Sequence, residues 1–309
     1  MKNGYKFQMK IVIVGPGAMG CLFAGLLSKS NEVWLLDRNP ARVRHIRKYG
    51  LKISGMSKIK VPPQDIGITT NAHNIGPAEL IIVLVKSYDT ESAVKKVLPC
   101  IDKKALILTL QNGINNIETI KKSVHKKFSS NVSAGVTSQG ATSIGFGKVK
   151  HAGTGETLLG TESEEIYRVF NNSGIKTRMV KNIESALWSK LIINSAINPL
   201  GAVTKKKNGE LIKDKYLKRI LIELTDESTR VSVAKGIKLL YKDLRHRVVK
   251  TCLLTGSNIN SMLQDVLNGK KTEIENINGV IIAEAKKLNI SVPFNELLYN
   301  LVKLISEKL

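Results

Sequence analysis

A glycine-rich turn directly after a short apolar strand constrains this chain more than any other feature of its sequence. The segment KIVIV, which begins at Lys10, runs into GPGAMG and then into an apolar-periodic stretch. In such a strand–turn–helix, the first glycine permits the tight turn, the second lets backbone approach a pyrophosphate, and the third permits close helix–strand packing. The helix N-terminus adds N–H groups and a positive dipole end that favour phosphate. We therefore predict a dinucleotide site at this turn, formed by Gly15, Pro16, Gly17, Ala18, Met19 and Gly20.

The second predicted strand ends at an acidic residue. EVWLL (Glu32–Leu36) is followed by Asp37, roughly 20 residues after Gly17, as in dinucleotide-binding units. A carboxylate here bonds the adenosine ribose hydroxyls and repels a 2′-phosphate, which favours NAD. Arg38 and Arg42 favour NADP instead, because either guanidinium can hold that phosphate in a bidentate pair. The local chemistry leaves both cofactors open.

Strands and helices alternate through the first half of the chain. The run Leu80–Val85 is continuously apolar, and Ala105–Leu110 is apolar except for Thr109, as expected of parallel strands buried on both faces. Helical patterns at Pro40–Tyr49, Thr90–Leu98 and Ile114–Lys127 accompany them. This alternation predicts an α/β fold with a Rossmann-type, doubly wound parallel sheet.

The composition changes near residue 181. Gly, Thr and Ser dominate a segment of short β-type pieces, and a helical pattern over Glu164–Asn172 follows it. From about Ile183 glycines thin out, and amphipathic helical periodicity extends to the C-terminus. We predict a dinucleotide-binding domain over residues 1–181, with 1–8 as an extension, and an all-α C-terminal domain for substrate and catalysis over 182–309.

The strongly basic composition raises the question of an acidic macromolecular partner. The net charge is +23, from 48 basic and 25 acidic side chains, a balance that can attract nucleic acid, anionic lipid or small anions. The lysines are spread over the whole chain and aromatic residues make up only 5%. No basic run therefore carries the stacking residues that single-stranded nucleic acid needs. We expect a small-molecule substrate and no nucleic-acid partner.

Hydropathy and cysteine usage bear on the compartment. No apolar run approaches the roughly 20 residues that cross a bilayer, and no apolar core of a secretory signal follows the first lysines. Cys21, Cys100 and Cys252 are widely spaced and odd in number, which indicates free thiols in a reducing compartment and not metal ligands. We expect a cytoplasmic protein with no membrane partner and no metal site.

Polar side chains follow two of the predicted strands where each strand ends. Lys86 and Ser87 come after one apolar run, and Gln111 and Asn112 come after the next. In open α/β sheets, ligands bind beyond the carboxyl ends of the strands. A lysine there suits a cofactor phosphate or an anionic substrate, and an asparagine suits a carboxamide, carbonyl or hydroxyl. Asn112-Gly113 is also ordinary turn chemistry, so this alternative stays open.

A polar stripe runs along one apolar helix of the second half. In ALWSKLIINSAINPL, residues 186–200, Lys190, Asn194 and Asn198 recur every four residues and share one face. A core helix with a solvated lysine would explain this pattern, and so would one wall of a catalytic site. Pro199 predicts that the helix stops or kinks at Asn198.

A carboxylate lies at another predicted helix start. Asn268-Gly269 indicates the end of one helix, and Thr272 with Glu275 matches a capping box for the next. Glu273 then falls in the first turn, where the helix dipole stabilises its ionised form. A first-turn glutamate is often no more than a helix start, so local pattern leaves its role open.

Taken together, these motifs resemble the ketopantoate reductase (2-dehydropantoate 2-reductase) family. The resemblance runs from Met9 almost to the C-terminus and rests on GPGAMG, VKSYDT, LQNGINNIE, GVTSQGATSIGFGKVKHAGTGET, WSKLIINSAINPL and SMLQDVLNGKKTEIENING, in this order. It implies a Rossmann domain followed by an all-helical domain, with the active site in the cleft between them. The implied activity is the NADPH-dependent reduction of 2-dehydropantoate to (R)-pantoate, a step towards pantothenate and coenzyme A.

The resemblance also implies roles for individual residues. Lys190 matches the family lysine that protonates the keto oxygen, and Glu273 matches the carboxylate that holds the substrate hydroxyl beside the cofactor. Arg38 matches the arginine that meets the 2′-phosphate, but Asp37 departs from an NADPH site and leaves NADH use open. The other matched residues are Asn194, Asn198 and Ser261 for substrate, Lys86 for cofactor, and Asn112 for both.

Two other classes of function remain as alternatives. A related NAD(P)-dependent reductase would act on another small 2-keto or 3-hydroxy acid, and a nucleotide-sensing protein would bind the cofactor without chemistry. The joint presence of Lys190, Asn194, Ser261 and Glu273 favours an enzyme over a sensor. The sequence is compatible with a monomer and with a homodimer.

Overall fold

The computed structural model describes residues 9–307 of the chain. The predicted extension over residues 1–8 lies outside the described residues. Proximity of Cα atoms divides the chain into two compact units. The first unit comprises the chain as far as Gln111 together with Asn115–Ile183, and the second comprises Asn112–Ile114 together with the chain from Glu184 onward.

Within its described residues, the first unit contains twelve strands, five α-helices and several short 3₁₀ turns. The strands are β1 (Lys10–Val14), β2 (Glu32–Leu36), β3 (Leu51–Gly55), β4 (Ile59–Val61), β5 (Gly67–Thr69), β6 (Ala78–Val83), β7 (Ile101–Thr109), β8 (Val132–Thr137), β9 (Gly140–Gly145), β10 (Lys148–Gly153), β11 (Thr157–Leu159) and β12 (Thr177–Met179). The helices are α1 (Ala18–Leu27), α2 (Pro40–Tyr49), α3 (Thr90–Val97), α4 (Asn116–Ser123) and α5 (Glu164–Asn172). The 3₁₀ turns are Pro63–Asp65, Ala72–Asn74, Ser87–Asp89, Leu98–Cys100 and Lys126–Asn131.

The main sheet has eight strands in the order β12-β11-β8-β7-β6-β1-β2-β5. The strands from β8 to β5 run parallel, whereas β11 pairs antiparallel with β8. Val14 of β1 stands in register with Leu36 of β2 and Val83 of β6. The carboxyl ends of these three strands therefore meet at one edge of the sheet. The predicted Rossmann-type parallel sheet is confirmed, and the antiparallel strand β11 extends it.

The continuous apolar runs arise because helices cover both faces of this sheet. Along β1, Ile11 and Ile13 belong to one buried cluster and Val12 and Val14 to the other. Helices α1, α2 and α5 contribute to the first cluster, and α3 and α4 contribute to the second. Successive side chains of a strand point to opposite faces, so a strand buried on both faces has no polar alternation.

A second sheet in the first unit was not predicted. It has four strands in the order β4-β3-β10-β9, in which only β3 and β10 pair in parallel. It packs on α1, where a Cβ added to Gly25 would lie 2.2 Å from the Ile53 side chain. Its strands are short and half-exposed, so their apolar pattern is weak.

The second unit consists of helices in its described part. They are α6 (Ile183–Thr204), α7 (Asn208–Lys213), α8 (Lys215–Ala234), α9 (Leu244–Leu254), α10 (Ser261–Leu267), α11 (Ile274–Lys287) and α12 (Pro293–Glu307). The predicted all-α C-terminal half is confirmed. Across residues 9–307, none of the helices has both the length and the apolar character needed to span a membrane.

Helix α6 continues through Pro199 to Thr204, so of the two predicted outcomes at Asn198, a stop or a kink, the stop is wrong. Proline has no N–H, and the carbonyl of Ser195, four residues earlier, therefore loses its usual intrahelical donor. Nδ2 of Asn278, a fully buried residue of α11, donates to that carbonyl at 3.0 Å. An amide from a neighbouring helix thus replaces the missing hydrogen bond.

A buried polar network extends from this contact. Oδ1 of Asn295 on α12 accepts from Asn278 at 3.0 Å, and the Ser195 and Ser228 hydroxyls lie 3.0 Å apart. The buried Glu227 carboxylate accepts from Nδ2 of Asn295 at 2.8 Å and from backbone N–H groups in the first turn of α12 at 2.9 Å. These bonds, together with the positive end of the α12 dipole, compensate the buried charge.

Candidate active site

The glycine turn joins β1 to α1 in the first unit. Gly15 has a φ of +94°, and a Cβ there would lie 2.8 Å from the backbone nitrogen of Val85, just beyond β6. A Cβ on Gly20 would lie 2.2 Å from the carbonyl oxygen of Gly15. Both positions therefore require glycine, because the turn, the helix and the neighbouring strand end approach one another too closely for a side chain.

Gly17 differs from the other two glycines of the turn, Gly15 and Gly20, because it faces open space. It is the N-cap residue of α1, no side chain caps the helix, and an added Cβ would meet no atom within 4 Å. Pro16 is buried, whereas Ala18 and Met19 in the first turn are partly exposed. The first-turn N–H groups and the positive dipole end are therefore available to an anion such as a pyrophosphate.

Asp37 turns inward from the end of β2. Its Oδ1 accepts from the backbone N–H of Asn39 at 3.1 Å, and its Oδ2 lies 3.2 Å from Nε of Arg42. Nη1 of Arg42 in turn donates to the carbonyl of Pro16 at 3.1 Å. The Asp37 side chain is only 5% exposed. Its charge is therefore compensated locally, and Arg42 ties it to the glycine turn.

Arg38 points to solvent and has a different partner. Its side chain is 65% exposed, and its Nη1 lies 2.7 Å from Oδ1 of Asp89, at the end of the 3₁₀ turn that follows β6. Local chemistry left Arg38 and Arg42 as equal candidates for a phosphate, and the family resemblance matched Arg38. The structure separates them, because Arg42 is held by Asp37 and Arg38 is the exposed one.

The two polar strand ends differ in what their side chains do. The amide nitrogen of the buried Gln111 donates to the Val85 carbonyl and to Oγ1 of Thr90, each at 2.8 Å. Gln111 therefore ties the ends of β6 and β7 together. Lys86 and Asn112 are partly exposed, and Asn112 belongs to the second compact unit. Gly113 has a φ of +88°, which agrees with turn chemistry at this point.

Helix α6 carries the polar stripe in the second unit. Lys190 and Asn194 are partly exposed, whereas Asn198, at the far end of the stripe, is buried. Desolvation of the Lys190 ammonium group outweighs the opposing effect of the Glu273 carboxylate, which favours the charged ammonium, and the pKa of Lys190 is lowered to about 8. Lys190 and Glu273 thus interact electrostatically within one unit.

Glu273 is buried at the N-cap position of α11, whose first residue is Ile274. The predicted capping box is therefore wrong: Thr272 precedes the cap, and Glu273 lies one residue before the helix instead of inside its first turn. Glu275 does not reach back, because its Oε1 lies 3.0 Å from Nζ of Lys303 on α12. The positive end of the α11 dipole remains beside the Glu273 carboxylate.

Ser261 is exposed and is the first residue of α10. Its position depends on Asn260, which sequence reasoning missed. The buried side chain of Asn260 caps α10 by accepting from the N–H of Leu263 at 2.9 Å, and its Nδ2 donates to the Ile197 carbonyl of α6 at 3.4 Å. Gly201 leaves room for this amide, since a Cβ there would lie 2.2 Å from Nδ2. An asparagine directly before a helical pattern is the signal that identifies such a cap.

The three cysteines are free and buried. Burial raises the pKa of the Cys21 thiol to about 12, and it also raises the pKa of Cys252 to about 12 and that of Cys100 to about 11. The thiols are therefore neutral and poorly reactive. Within residues 9–307, no group of three or more His, Cys, Asp or Glu side chains is arranged to hold a metal ion.

Two protein-family models match the chain. The model described as "Ketopantoate reductase PanE/ApbA" matches residues 11–164, and the one described as "Ketopantoate reductase PanE/ApbA C terminal" matches residues 182–306. The chain belongs to the ketopantoate reductase family. The two matches divide between the strand-rich and the helical parts of this ketopantoate reductase fold.

Individual relatives agree with the family models over almost the whole chain. A 2-dehydropantoate 2-reductase of Pyrococcus horikoshii is 37% identical over 302 residues, which cover 96% of this chain and 97% of the relative. One from Archaeoglobus fulgidus is 32% identical over 301 residues, with coverage of 95% and 97%. The resemblance to ketopantoate reductases is therefore confirmed.

Solved structures of the ketopantoate reductase fold also match. A PanE/ApbA family ketopantoate reductase from Ralstonia eutropha has a TM-score of 0.88 and 31% identity, and the match covers 97% of this chain and 99% of that one. A D-mandelate dehydrogenase in complex with NADH and anilino(oxo)acetate also has a TM-score of 0.88, at 26% identity and the same coverage. The fold is thus shared by enzymes that are named for different substrates.

Proposed function

We propose that the chain is a cytoplasmic, NADPH-dependent 2-dehydropantoate 2-reductase that forms (R)-pantoate in pantothenate and coenzyme A biosynthesis, acting as a monomer or homodimer. The observation that carries this proposal is the lysine of lowered pKa, Lys190, beside the buried carboxylate Glu273 in a chain of this family. Residues 1–181 serve as the dinucleotide domain and residues 182–309 as the substrate and catalytic domain.

Lys190 is the proton donor in this proposal. Reduction of a ketone builds negative charge on its oxygen, and a cationic donor within hydrogen-bond reach lowers the barrier. A pKa of about 8 leaves Lys190 mostly protonated at neutral pH and makes it a stronger acid than an ordinary lysine. Glu273 keeps the ammonium charged despite burial, and its carboxylate accepts a hydrogen bond from the substrate hydroxyl.

The substrate itself is an anion and needs donor groups around it. Asn194, Asn198, Ser261 and Asn112 supply amides and a hydroxyl that hydrogen-bond its carboxylate and keto oxygen. Asn260 is a positioning residue for Ser261, because it fixes the start of α10 against α6. The wall of the site on α6 keeps its geometry past Pro199 through the bond from Asn278.

A bound nicotinamide dinucleotide supplies the hydride. The first-turn N–H groups beside Gly17 would hold its pyrophosphate, and Lys86 would contact the cofactor. NADPH is supported over NADH by the two side chains after β2: the Asp37 carboxylate is buried and neutralised by Arg42, whereas the Arg38 guanidinium is exposed. An exposed guanidinium suits a 2′-phosphate, and a buried carboxylate is poorly placed to bond a ribose hydroxyl.

The role of Lys190 is tested by Lys190→Ala. We expect kcat for reduction of 2-dehydropantoate to fall by roughly 10²–10⁴-fold, as for loss of a general acid, while nucleotide affinity in a fluorescence titration stays nearly unchanged. Lys218→Ala, which removes an exposed lysine of α8, serves as the control and should keep full activity. An equal loss of nucleotide binding in Lys190→Ala would contradict the assigned role.

A second candidate is an NADH-dependent reductase of another 2-keto acid, which the similarity to D-mandelate dehydrogenase favours. Steady-state rates with 2-dehydropantoate and with phenylglyoxylate, the keto acid that corresponds to mandelate, separate the two, each with NADPH and with NADH. We expect the highest kcat/KM for 2-dehydropantoate with NADPH. A preference for phenylglyoxylate and NADH would favour the second candidate.

A further inference from the structure

An ion pair spans the sheet edge beside the glycine turn. Arg38, after β2, lies with its Nη1 2.7 Å from Oδ1 of Asp89, after β6. Strands β2 and β6 flank β1, and Val14, Leu36 and Val83 stand in register at the three strand ends. The pair therefore joins the two sides of the position where the glycine turn leaves the sheet.

The Arg38–Asp89 pair is weak enough to yield to a stronger ligand. The Arg38 side chain is 65% exposed and that of Asp89 is 22% exposed, and ion pairs exposed to solvent in this way contribute little to stability. A phosphate monoester carries about −1.5 to −2 charges at neutral pH and bonds a guanidinium through two oxygens. A 2′-phosphate at this place would therefore take Arg38 from Asp89.

Two carboxylates lie near the end of β2, and they differ in how far their charge is compensated. Asp37 is paired with Arg42 at 3.2 Å and also accepts a backbone N–H. Asp89 is paired with Arg38, which is also the residue that a 2′-phosphate would need. Once Arg38 turns to a phosphate, the Asp89 carboxylate is left as a like charge beside it.

We propose that Asp89 is a specificity-determining residue that sets how strongly the cofactor site takes a 2′-phosphate. This inference rests on the proposed use of a dinucleotide. Asp89 competes with the 2′-phosphate for the Arg38 guanidinium and repels that phosphate, so it weakens NADPH binding and leaves NADH binding unaffected. The preference of the site for NADPH over NADH is therefore smaller than it would be with Arg38 and without Asp89.

The test is isothermal titration of the full chain with adenosine 2′,5′-bisphosphate and with adenosine 5′-monophosphate. Asp89→Asn is expected to tighten the bisphosphate by about three- to tenfold, from lost competition and lost repulsion, and to leave the monophosphate unchanged. Glu91→Gln is the matched control, because it removes the same charge from an exposed residue that pairs with Lys95. It should change neither affinity.

A second pair of variants separates competition for Arg38 from a general effect of charge. In an Arg38→Ala background, Asp89→Asn should tighten the bisphosphate much less than it does in the wild type. Asp89→Glu keeps the carboxylate and should keep the wild-type ratio of the two affinities. Equal tightening with and without Arg38, tightening by Glu91→Gln, or no change in Asp89→Asn would each overturn the inference.

The titrations contain no keto acid, so their result is independent of the proposed substrate. A chain that binds these nucleotides but does not reduce 2-dehydropantoate would refute the proposed activity and leave the role of Asp89 intact. If the ratio of bisphosphate to monophosphate affinity were the same in Asp89→Asn as in the wild type, the inference would be refuted even in an active reductase.

Discussion

Burial and a neighbouring carboxylate act on Lys190 in opposite directions. Desolvation lowers the pKa of the side chain and the negative charge of Glu273 raises it, and the net result is a pKa of about 8. Helical periodicity alone predicted the shared face of Lys190, Asn194 and Asn198, because residues four apart in sequence lie on the same side of a helix. The partner of that face was not predictable in this way, because Glu273 lies far along the chain, at the N-cap of α11.

The dependence of kcat/KM on pH should show the pKa of Lys190 and the effect of Glu273 on it. Lys190 acts as a donor only while protonated, so kcat/KM should fall as pH rises through its pKa of about 8. Glu273→Gln removes the charge that raises this pKa, and the basic limb of the profile should therefore move to lower pH. Glu275→Gln, two residues further on and paired with Lys303, is the control and should leave the limb in place. An unchanged limb in Glu273→Gln would contradict the coupling, whatever the change in absolute rate.

The two arginines after β2 show a limit of local reasoning at the scale of residues. Arg38 and Arg42 lie four residues apart in sequence, and their chemistry is the same. They differ in their partners: Arg42 pairs with the nearby Asp37, whereas Arg38 pairs with Asp89, which parallel pairing of β1 with β6 brings to the same edge of the sheet. The pairing of Arg38 with a residue so distant in sequence leaves no local signal.

Among the elements, those with strong periodicity were predictable and those held by distant contacts were not. The bounds of β2, α2 and α5 agree with the predicted ones, since each has a regular pattern and a clear start. The small second sheet was missed because its strands are short and half-exposed. The run of α6 through Pro199 was missed because the bond that permits it comes from Asn278 on α11.

The joint between α6 and α11 gives a prediction about stability. Asn278→Ala should lower the free energy of unfolding by about 1–3 kcal/mol, because it leaves a buried carbonyl of Ser195 without its donor. In a Pro199→Ala background the loss should be smaller, since the substituted residue supplies an intrahelical N–H to the same carbonyl. Denaturant unfolding of the four variants of this cycle measures the coupling.

An exposed amide provides the control for that cycle. Asn268→Ala removes an amide that donates to Gln264 at the end of α10, and it should cost far less than Asn278→Ala. Equal costs of Asn278→Ala with and without Pro199 would show that the amide does not replace the proline's missing donor.

At the scale of the whole molecule, each compact unit has its own core. The buried clusters on the two faces of the main sheet contain only residues of the first unit, and the two helical clusters contain only residues of the second. The chain has two tryptophans, and each unit holds one of them: Trp34 on β2 and Trp188 on α6. Their fluorescence therefore reports on the two units separately.

Nucleotide should stabilise the two units to different extents. Adenosine 2′,5′-bisphosphate at about 100 times its Kd stabilises the state that binds it by about 2.7 kcal/mol. In Trp188→Phe, the free energy of unfolding reported by Trp34 should rise by this amount, with the midpoint of the transition at higher denaturant. In Trp34→Phe, the transition reported by Trp188 should shift less. Identical shifts would show that both units unfold as one cooperative body.

The dependence of Pro199 on Asn278 should also constrain how the two positions evolve. The proline is tolerated inside α6 because the fully buried Asn278 amide supplies the missing donor. Loss of the asparagine is therefore costly while the proline stays, whereas loss of the proline restores an intrahelical N–H. A lineage should thus keep the asparagine for as long as it keeps the proline. Among aligned descendants of a common ancestor, we expect chains that retain this proline to retain the asparagine some 80 positions later, and the amide to drift only after the proline has gone.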